Sequence, residues 1–276
     1  MREDLVFDVG MNNGDDTAYY LHRGFRVVAI EADPTLADAG RQRFAEAIRD
    51  RRLEVVNAAI GPRQEVADFW VCEQHREWNS FDRAIASRNG LPHYAIPVQC
   101  YPFRHFLQEY GTPFYLKVDI EGHDHYCLED LDAADLPRYV SFEMSALETL
   151  LTLHRLGYTG FKLITQNDHS QLVVDVFSTR EVVRRALRPH PWLYRFASKL
   201  ARAGRGVSDG PGMRGSDRHG WHFPIGSSGP FGEETDGEWH TLETAAFTWT
   251  AYQLGQSVYG PPVLDIWHDI HARHPG

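Results

Sequence analysis

The sequence predicts a mixed α/β fold in which a mostly parallel β-sheet is flanked by helices. Short apolar, β-branched runs alternate with helix-like segments, the first run ends in a glycine turn that leads into a helix, and four of the runs end in acidic residues. Strand–helix units that follow one another in sequence are typical of parallel sheets with right-handed crossovers. With 276 residues and a hydrophobic fraction of 42%, the chain can form one large domain with additions.

The first strand–turn–helix unit predicts a nucleotide-type binding crevice. Residues 5–9 form the predicted strand, Gly10 and Gly14 break it, and a helix is predicted over residues 17–23 with Gly24 as its C-cap. A strand, a tight glycine turn and a helix N-terminus together create such a crevice.

The glycine spacing and the acids that follow it bear on the ligand. A dinucleotide site has three glycines in the pattern G-x-G-x-x-G, whereas this turn has Gly10-x-x-x-Gly14 followed by Asp15 and Asp16. Two carboxylates at the start of a helix would repel a pyrophosphate, although they suit the helix dipole. They favour a ligand that carries positive charge and no phosphate, such as S-adenosylmethionine. The alternative interpretation is an ordinary helix start with N-capping acids.

The second predicted strand, over residues 26–33, also ends in acids. Glu31 follows Gly10 by twenty-one residues, which is the spacing at which an acid meets the ribose hydroxyls in nucleotide-binding βαβ units. A carboxylate suits this task because it can accept hydrogen bonds from both hydroxyls. The alternative for Glu31 is a solvated strand end.

The middle of the chain continues the alternation of strands and helices. We predict a helix over residues 34–51, strands over 53–60, 66–71 and 95–101, and a helix over 102–110. Further strands are predicted over 114–123, 139–144 and 161–164, with a helix over 145–157 before the last of them.

Acids stand where four of the predicted strands end. In an open α/β sheet, ligands bind in the crevice at the carboxyl ends of the strands. The acids at these ends are Asp8, Glu31, Asp119, Glu121 and Glu143. The sequence therefore predicts an acidic, functional rim on the sheet.

Composition excludes some classes of partner and points to a compartment. The net charge of -10 argues against nucleic acid, because no basic stripe offsets it. Cys72, Cys100 and Cys127 form neither a disulfide framework nor a zinc pattern, which indicates a reducing cytoplasm. We also expect neither a signal peptide nor a membrane span, because the sequence has no suitable apolar run.

Three motifs in the first part of the chain carry a family resemblance. They are F-D-V-G-M-N-N-G-D at residues 7–15, A-I-E-A-D-P at residues 29–34 and L-K-V-D-I-E-G at residues 116–122. The segment N-A-A-I-G at residues 57–61 and Ser80 stand in comparable places. Over about residues 4–165, the sequence resembles the FkbM-type S-adenosylmethionine-dependent methyltransferases.

This resemblance implies a Rossmann-like class I methyltransferase fold with a seven-stranded, mostly parallel sheet whose last strand is antiparallel. It implies S-adenosylmethionine as cofactor and methyl transfer to a hydroxyl of a small molecule or sugar, such as a glycan, a glycolipid or a secondary metabolite. We expect an S-adenosylmethionine-binding domain over residues 1–178 and a C-terminal extension over residues 179–276 that covers the acceptor site.

The resemblance also implies which residues bind the cofactor. They lie in the glycine turn and at the strand ends: Asp8, Gly10, Asn12, Gly14, Thr17, Glu31, Ala32, Asn57, Ala58 and Asp119. Glu31 is expected on the ribose, and Asn57 and Ala58 are expected near the adenine.

The C-terminal extension is expected to supply the lid and the acceptor pocket, from about residue 180 to about residue 240. Residues 180–205 are basic and amphipathic, which favours a helix that covers the core over membrane contact. Residues 204–237 are rich in glycine, and a helix is predicted over 238–256. Four aromatic residues of this region are expected either to line an apolar or sugar-stacking pocket or to pack in the hydrophobic core: Trp192, Trp221, Phe223 and Phe231.

Methyl transfer to an alcohol needs alignment of the reacting atoms and removal of a proton. The candidate bases, in falling order, are Asp119, Glu143, His123 and His125. For each histidine, the alternative is a solvated helix start.

Alternate acids and histidines at residues 119, 121, 123 and 125 also resemble a metal-ligand set. Such ligands converge on one face only where the chain stays extended, and Gly122 is expected to break it. The sequence therefore favours a site without metal.

Two other classes of function stay open at this point. One is an NAD-dependent or nucleotide-sugar-modifying enzyme on a Rossmann-like sheet, which the missing third glycine and the pair Asp15-Asp16 disfavour. The other is a non-catalytic binding module, which the acid-rich strand ends disfavour.

Overall fold

The computed structural model describes residues 1–174, 215–259 and 267–275. The strands are, in chain order, β1 (Arg2–Val9), β2 (Arg26–Glu31), β3 (Leu53–Asn57), β4 (Ala59–Ile60), β5 (Glu65–Cys72), β6 (His93–Tyr101), β7 (Pro113–Val118), β8 (Tyr139–Glu143), β9 (Gly160–Thr165), β10 (Ser216–Arg218), β11 (Trp221–Phe223) and β12 (His268–Arg273). The helices are α1 (Asp15–His22), α2 (Pro34–Arg43), α3 (Ala45–Arg49), α4 (Arg83–Ala86), α5 (Phe103–Tyr110), α6 (Asp124–Glu129), α7 (Leu147–Leu156) and α8 (Leu242–Tyr259).

A seven-stranded sheet with the strand order β3-β2-β1-β7-β8-β12-β9 forms the centre of the fold. Its strands run parallel from β3 to β8, and β12 runs antiparallel to both β8 and β9. The predicted Rossmann-like fold, with seven strands of which the last is antiparallel, is confirmed. The strand order reverses direction between β1 and β7, which is where ligands bind in sheets of this kind.

The antiparallel strand β12 is an element that the sequence pattern did not predict. Three of its residues are polar and nevertheless buried: His268, Asp269 and His271. Strands are predicted from apolar runs or from apolar residues that alternate with exposed polar ones, and this segment has neither pattern. The extension expected from residue 179 therefore contains a strand of the central sheet, inserted between β8 and β9.

Two predicted elements are divided in the structure. The run over residues 53–60 leaves the central sheet at Ala58, so that β3 pairs with β2 while β4 pairs with β6. Together β4, β5 and β6 form a separate three-stranded sheet. The helix predicted over residues 34–51 is likewise divided into α2 and α3 by a change of backbone conformation at Phe44.

The remaining predicted helices lie within a few residues of their expected positions. Helix α1 begins at Asp15 and ends before Gly24, whose φ of 85° provides the left-handed conformation that a C-cap needs. Within the described residues, no helix has both the length and the apolar composition needed to cross a bilayer. The basic segment 180–205, with Trp192, lies outside the described residues.

Hydrophobic residues cover both faces of the central sheet. On one face, strand residues such as Phe7, Leu116 and Phe142 pack with residues of α5, α6, α7 and α8. On the other face, Val6 and Tyr115 pack with α1, α2, α3 and the segment that contains Phe223 and Phe231. Burial of a large apolar side chain contributes about 1.5–3 kcal/mol, so these two layers hold the sheet ends in place.

The aromatic residues of the glycine-rich segment belong to this second layer. The Phe231 ring stacks on the Tyr115 ring with centroids 4.0 Å apart and an interplanar angle of 2°. Phe223 contacts Tyr19 edge to face, with the ring centroids 4.7 Å apart. Phe223 and Phe231 are buried. Ordinary packing, the alternative to a pocket lining, therefore describes both residues.

We predict that Phe231→Ala lowers the free energy of unfolding by about 3–5 kcal/mol, because it removes a stacked ring and leaves a cavity on the sheet. Phe247→Ala is the matched control, since Phe247 is 68% exposed. Urea unfolding followed by circular dichroism measures both. A loss below about 1 kcal/mol for Phe231→Ala would show that the segment does not pack on the sheet.

Candidate functional site

A cavity of about 520 Å³ opens at the carboxyl ends of the central strands. It lies within the range of about 300–1,000 Å³ that is typical of small-molecule sites. Its lining comes from the turn after β1, the ends of β2 and β8, the turn after β7, and the loops at residues 75–81 and 224–227. The cavity thus coincides with the edge where the sequence predicts an acidic rim.

The glycine turn is shaped by close contact with the chain after β7. Gly10 has a φ of 84°, and a Cβ atom there would lie 1.9 Å from the carbonyl oxygen of Asp119. Only glycine fits this position. The next residues, Met11 and Asn12, line the cavity, whereas Gly14 packs beneath Phe44 and does not line it.

A buried ion pair supports this turn from below. The ammonium Nζ of Lys117 lies 3.1 Å from Asp8 Oδ1 and donates a hydrogen bond of 2.6 Å to the carbonyl oxygen of Gly10. Thr17 Oγ1 donates to the other carboxylate oxygen of Asp8 at 2.5 Å. Burial opposes the charged ammonium, but the carboxylates of Asp8, Asp119 and Asp16 hold the pKa of Lys117 above its ordinary value. Asp8 and Thr17 therefore shape the turn and do not line the cavity.

Glu31 stands at the edge of the cavity with its carboxylate fixed by the backbone. Its Oε2 accepts from the backbone N–H of Asn12 and its Oε1 from that of Asp33, each at 2.8 Å. Burial raises the pKa of Glu31 to about 7, against the lowering effect of these two donors. Each oxygen keeps a further lone pair, so the group can accept hydrogen bonds from a ligand.

The turn after β3 separates the two residues that were expected near the adenine. Ala58 lines the cavity beside Ala32. Asn57 does not line it, because its Nδ2 donates to the carbonyl oxygens of Glu31 at 2.8 Å and Ala32 at 3.0 Å. Asn57 therefore holds the chain after β2 in place.

Asp16 is a cavity residue that the sequence singled out only for its charge. It is buried, and its Oδ2 accepts a hydrogen bond of 3.1 Å from the backbone N–H of Ser228. Its Oδ1 has no hydrogen-bond partner among the described residues. Burial raises the pKa of Asp16 to about 7, and Lys117 opposes that effect.

Three more acids meet at the ends of β7 and β8. Asp119, Glu121 and Glu143 all line the cavity, and one carboxylate oxygen from each lies within 4.8 Å of the others. Burial, and then the charge of Asp119, raise the pKa of Glu143 to about 9 and that of Glu121 to about 7. Arg88 approaches Glu121 at 3.3 Å.

The structure separates the two candidate histidines. His123 lines the cavity, and its ring stacks on Phe81 with centroids 4.7 Å apart. Burial lowers the pKa of His123. His125 does not line the cavity and lies against Tyr126, with ring centroids 4.0 Å apart.

Several lining residues escaped sequence-based prediction because they come from irregular chain. They include Arg76, Asn79, Gln166, Ser227 and Trp267. Arg76 and Asn79 both donate to the Asp33 carboxylate, at 2.5 Å and 3.1 Å, which ties their loop to the end of β2. No periodic pattern marks such residues, so only the folded chain reveals them.

The charge of the lining defines the ligand that it suits. The basic side chains Lys117 and Arg76 form ion pairs with Asp8 and Asp33. Acids dominate the lining, namely Asp15, Asp16, Glu31, Glu77, Asp119, Glu121 and Glu143. Buried carboxylates are stabilised by a nearby positive charge. The cavity therefore suits a ligand that carries positive charge.

We predict that Asp16→Asn makes the ligand-free protein more stable at high pH. The folded protein holds the Asp16 proton up to about pH 7, whereas the unfolded chain loses it near the ordinary value of 3.8. Stability therefore falls as pH rises between these values, and asparagine removes this fall. The free energy of unfolding of the variant minus that of the wild type should increase by about 1–3 kcal/mol between pH 5 and pH 8.

Urea unfolding at both pH values measures this difference. Asp38→Asn is the control, because the Asp38 side chain is 67% exposed. A difference between Asp16→Asn and the wild type that does not change with pH would contradict the burial of an ionisable group there.

Comparisons with known proteins place the chain among methyltransferase sequences. The sequence model of the Methyltransferase FkbM domain matches residues 8–159, which is more than half of the chain. This range includes the glycine turn, Glu31, Asp119, Glu121 and Glu143. No curated protein sequence is significantly similar to the chain.

Three solved structures are similar to this one at low identity. The methyltransferase FkbM from Methylobacillus flagellatus KT is 17% identical with a TM-score of 0.36, and the match covers 52% of this chain and 34% of that one. The precorrin-6y C5,15-methyltransferase from Geobacter metallireducens GS-15 is 14% identical with a TM-score of 0.35, and the match covers 60% and 69%. The [4+2]-cyclase SpnF is 13% identical with a TM-score of 0.34, and the match covers 99% and 76%. This chain thus spans about a third of the M. flagellatus protein.

Proposed function

The chain belongs to the methyltransferase FkbM family, and from this premise we propose that it is an S-adenosylmethionine-dependent O-methyltransferase. Its acceptor in this proposal is a hydroxyl group of a small molecule or sugar. The observation that carries the proposal is the position of Asp16, a buried carboxylate at the start of α1 that lines the cavity. A dinucleotide would place its pyrophosphate at this helix start, where Asp16 repels phosphate and favours a cationic methyl donor.

The other lining residues are distributed as this donor requires. The fixed carboxylate of Glu31 would accept the ribose hydroxyls, and the small side chains of Ala32 and Ala58 leave room for the adenine. The backbone around Gly10 and Asn12 would contact the methionine part, whose positive charges would face Asp16 and Asp119. In this proposal Asp8, Gly14, Thr17 and Asn57 act indirectly by shaping the turns.

Methyl transfer from a sulfonium needs chiefly the alignment of the acceptor oxygen, the methyl carbon and the sulfur. The acceptor hydroxyl must also lose its proton. Glu143 keeps its own proton near neutral pH because its pKa is about 9, so it is not a ready base in the ligand-free protein. Asp119 remains the first candidate, and His123 the second, because its lowered pKa keeps the ring able to accept a proton.

Residues 224–227 support the part of the lid proposal that falls within the described chain. Pro224, Ile225, Gly226 and Ser227 line the cavity, and the N–H of Ser228 donates a hydrogen bond to Asp16 at the start of α1. The part from residue 180 to residue 214 lies outside the described residues. The proposed location is the cytoplasm, since Cys72, Cys100 and Cys127 are free and buried.

We predict that S-adenosylhomocysteine raises the melting temperature of the full chain and that NAD does not. Glu31→Gln should weaken S-adenosylhomocysteine binding by about 10–100-fold, because a charged acceptor is worth about 1.5–3 kcal/mol. Glu46→Gln, an exposed site on α3, should bind like the wild type. Isothermal titration calorimetry measures the three affinities.

Two results would contradict these expectations, the first of them the proposed function itself and the second the role of Glu31. One is stabilisation by NAD alone, which would favour a dinucleotide enzyme. The other is equal affinity of Glu31→Gln and the wild type for S-adenosylhomocysteine, which would remove Glu31 from the ribose site.

A further inference from the structure

Three carboxylates form a row across the neighbouring strands β7, β8 and β12, and two of them, Asp119 and Glu143, line the cavity. Val118 of β7 pairs with Phe142 of β8, so Asp119 and Glu143 follow side by side. Glu143 in turn pairs directly with Asp269 of β12. Residues directly opposite in an antiparallel pair project to the same face, with Cβ atoms about 4.5–5.5 Å apart.

Glu121 joins this row from the turn after β7. Its φ of 43° and the φ of 93° at Gly122 reverse the chain there, so that Glu121 approaches Asp119 and Glu143. The same reversal takes His123 to Phe81 instead. The residues at positions 119, 121, 123 and 125 therefore do not converge on one point. The third acid that lies near Asp119 and Glu121 is Glu143 of the neighbouring strand.

The distances fit a shared ion. One carboxylate oxygen from each of Asp119, Glu121 and Glu143 lies within 4.8 Å of the other two. Two oxygens on one divalent cation are separated by at most about 4–5 Å, since metal–oxygen bonds are about 2.0–2.6 Å long. A donor set made only of carboxylate oxygens suits Mg²⁺ or Mn²⁺ rather than zinc or copper.

Asp269 provides an observation that is independent of the distances between the three other acids. It is only 2% exposed, and its Oδ1 accepts a hydrogen bond of 2.8 Å from Gln166 Nε2. Its Oδ2 has no hydrogen-bond partner among the described residues. A buried carboxylate oxygen without a hydrogen-bond partner, on the residue that pairs with Glu143, is stabilised by a proton or by a nearby cation.

We propose that Asp119, Glu121 and Glu143 bind one divalent cation of the Mg²⁺ or Mn²⁺ type, with the Asp269 carboxylate beside it. Three protein ligands leave open positions in an octahedral sphere, and the cavity lies in front of them. Two neighbouring hydroxyls of a sugar would fit these positions, and a bound cation would make them more acidic. This statement about the acceptor rests on the proposed methyltransferase function, whereas the cation site does not.

The first test is Mn²⁺ binding to the full chain, followed by electron paramagnetic resonance and by calorimetry. We expect one Mn²⁺ per chain with micromolar affinity, and a loss of at least about tenfold, equal to about 1.4 kcal/mol, in Glu143→Gln and in Asp119→Asn. Glu129→Gln, an exposed acid at the end of α6, should bind Mn²⁺ like the wild type. Circular dichroism shows whether each variant is folded.

Absence of Mn²⁺ binding by the wild type would overturn the proposal, and so would unchanged affinity in both folded variants. The second test repeats the titration with saturating S-adenosylhomocysteine. Retained Mn²⁺ binding supports a separate cation site. Complete displacement would overturn the proposal, because the acids would then bind the amino group of the donor instead.

Donor binding in metal-free buffer separates this proposal from the proposed function. If S-adenosylhomocysteine binds and Mn²⁺ does not, the cation site is refuted while the methyltransferase function stands. If Mn²⁺ binds in the expected way and S-adenosylhomocysteine does not bind with or without it, the cation site is supported and the proposed function fails.

Discussion

The ammonium group of Lys117 lies beneath the glycine turn, where it contacts the Asp8 carboxylate and the Gly10 carbonyl oxygen. This contact joins β1 to β7 at the point where the strand order reverses. Because Asp8 is fully buried, a change that removed the ammonium would leave an uncompensated charge in the core. The glycine turn also positions Asn12, whose backbone N–H donates a hydrogen bond to the Glu31 carboxylate and orients it. The geometry of the cavity edge therefore depends on one buried cation.

The same region carries far more acid than base, and this imbalance connects the two ligands proposed for the cavity. Burial raises the pKa of Asp16 and Glu31 near the glycine turn and that of Glu121 and Glu143 at the ends of β7 and β8. A cation bound nearby would favour the ionised form of these carboxyl groups, whereas a neutral or anionic ligand would not. A sulfonium donor and a divalent cation would each supply positive charge to a different part of the same cavity.

The sequence predicted the features that depend on local pattern. Apolar runs located the strands, and the position of Glu31 and of the later acids at strand ends placed them on one rim. The pattern failed where tertiary contacts decide. Strand β12 was not predicted because its buried residues are polar. The division between β3 and β4 was not predicted because the two strands form one continuous apolar run in the sequence. Asn57 was expected at the cavity, but its side chain donates to the Glu31 and Ala32 carbonyl oxygens instead. That Glu143 joins Asp119 and Glu121 follows from strand pairing, which no spacing along the chain reveals.

The position of β12 has a consequence for the order in which the molecule can assemble. Residues 268–273 are synthesised after the other six strands of the central sheet, yet they lie between β8 and β9. While the chain is being made, β8 and β9 therefore keep unpaired edges, which are sites for wrong pairing and aggregation. Asp269 arrives on this last strand. The carboxylate that pairs with Glu143 across the sheet is thus added only after the glycine turn has long been available to fold.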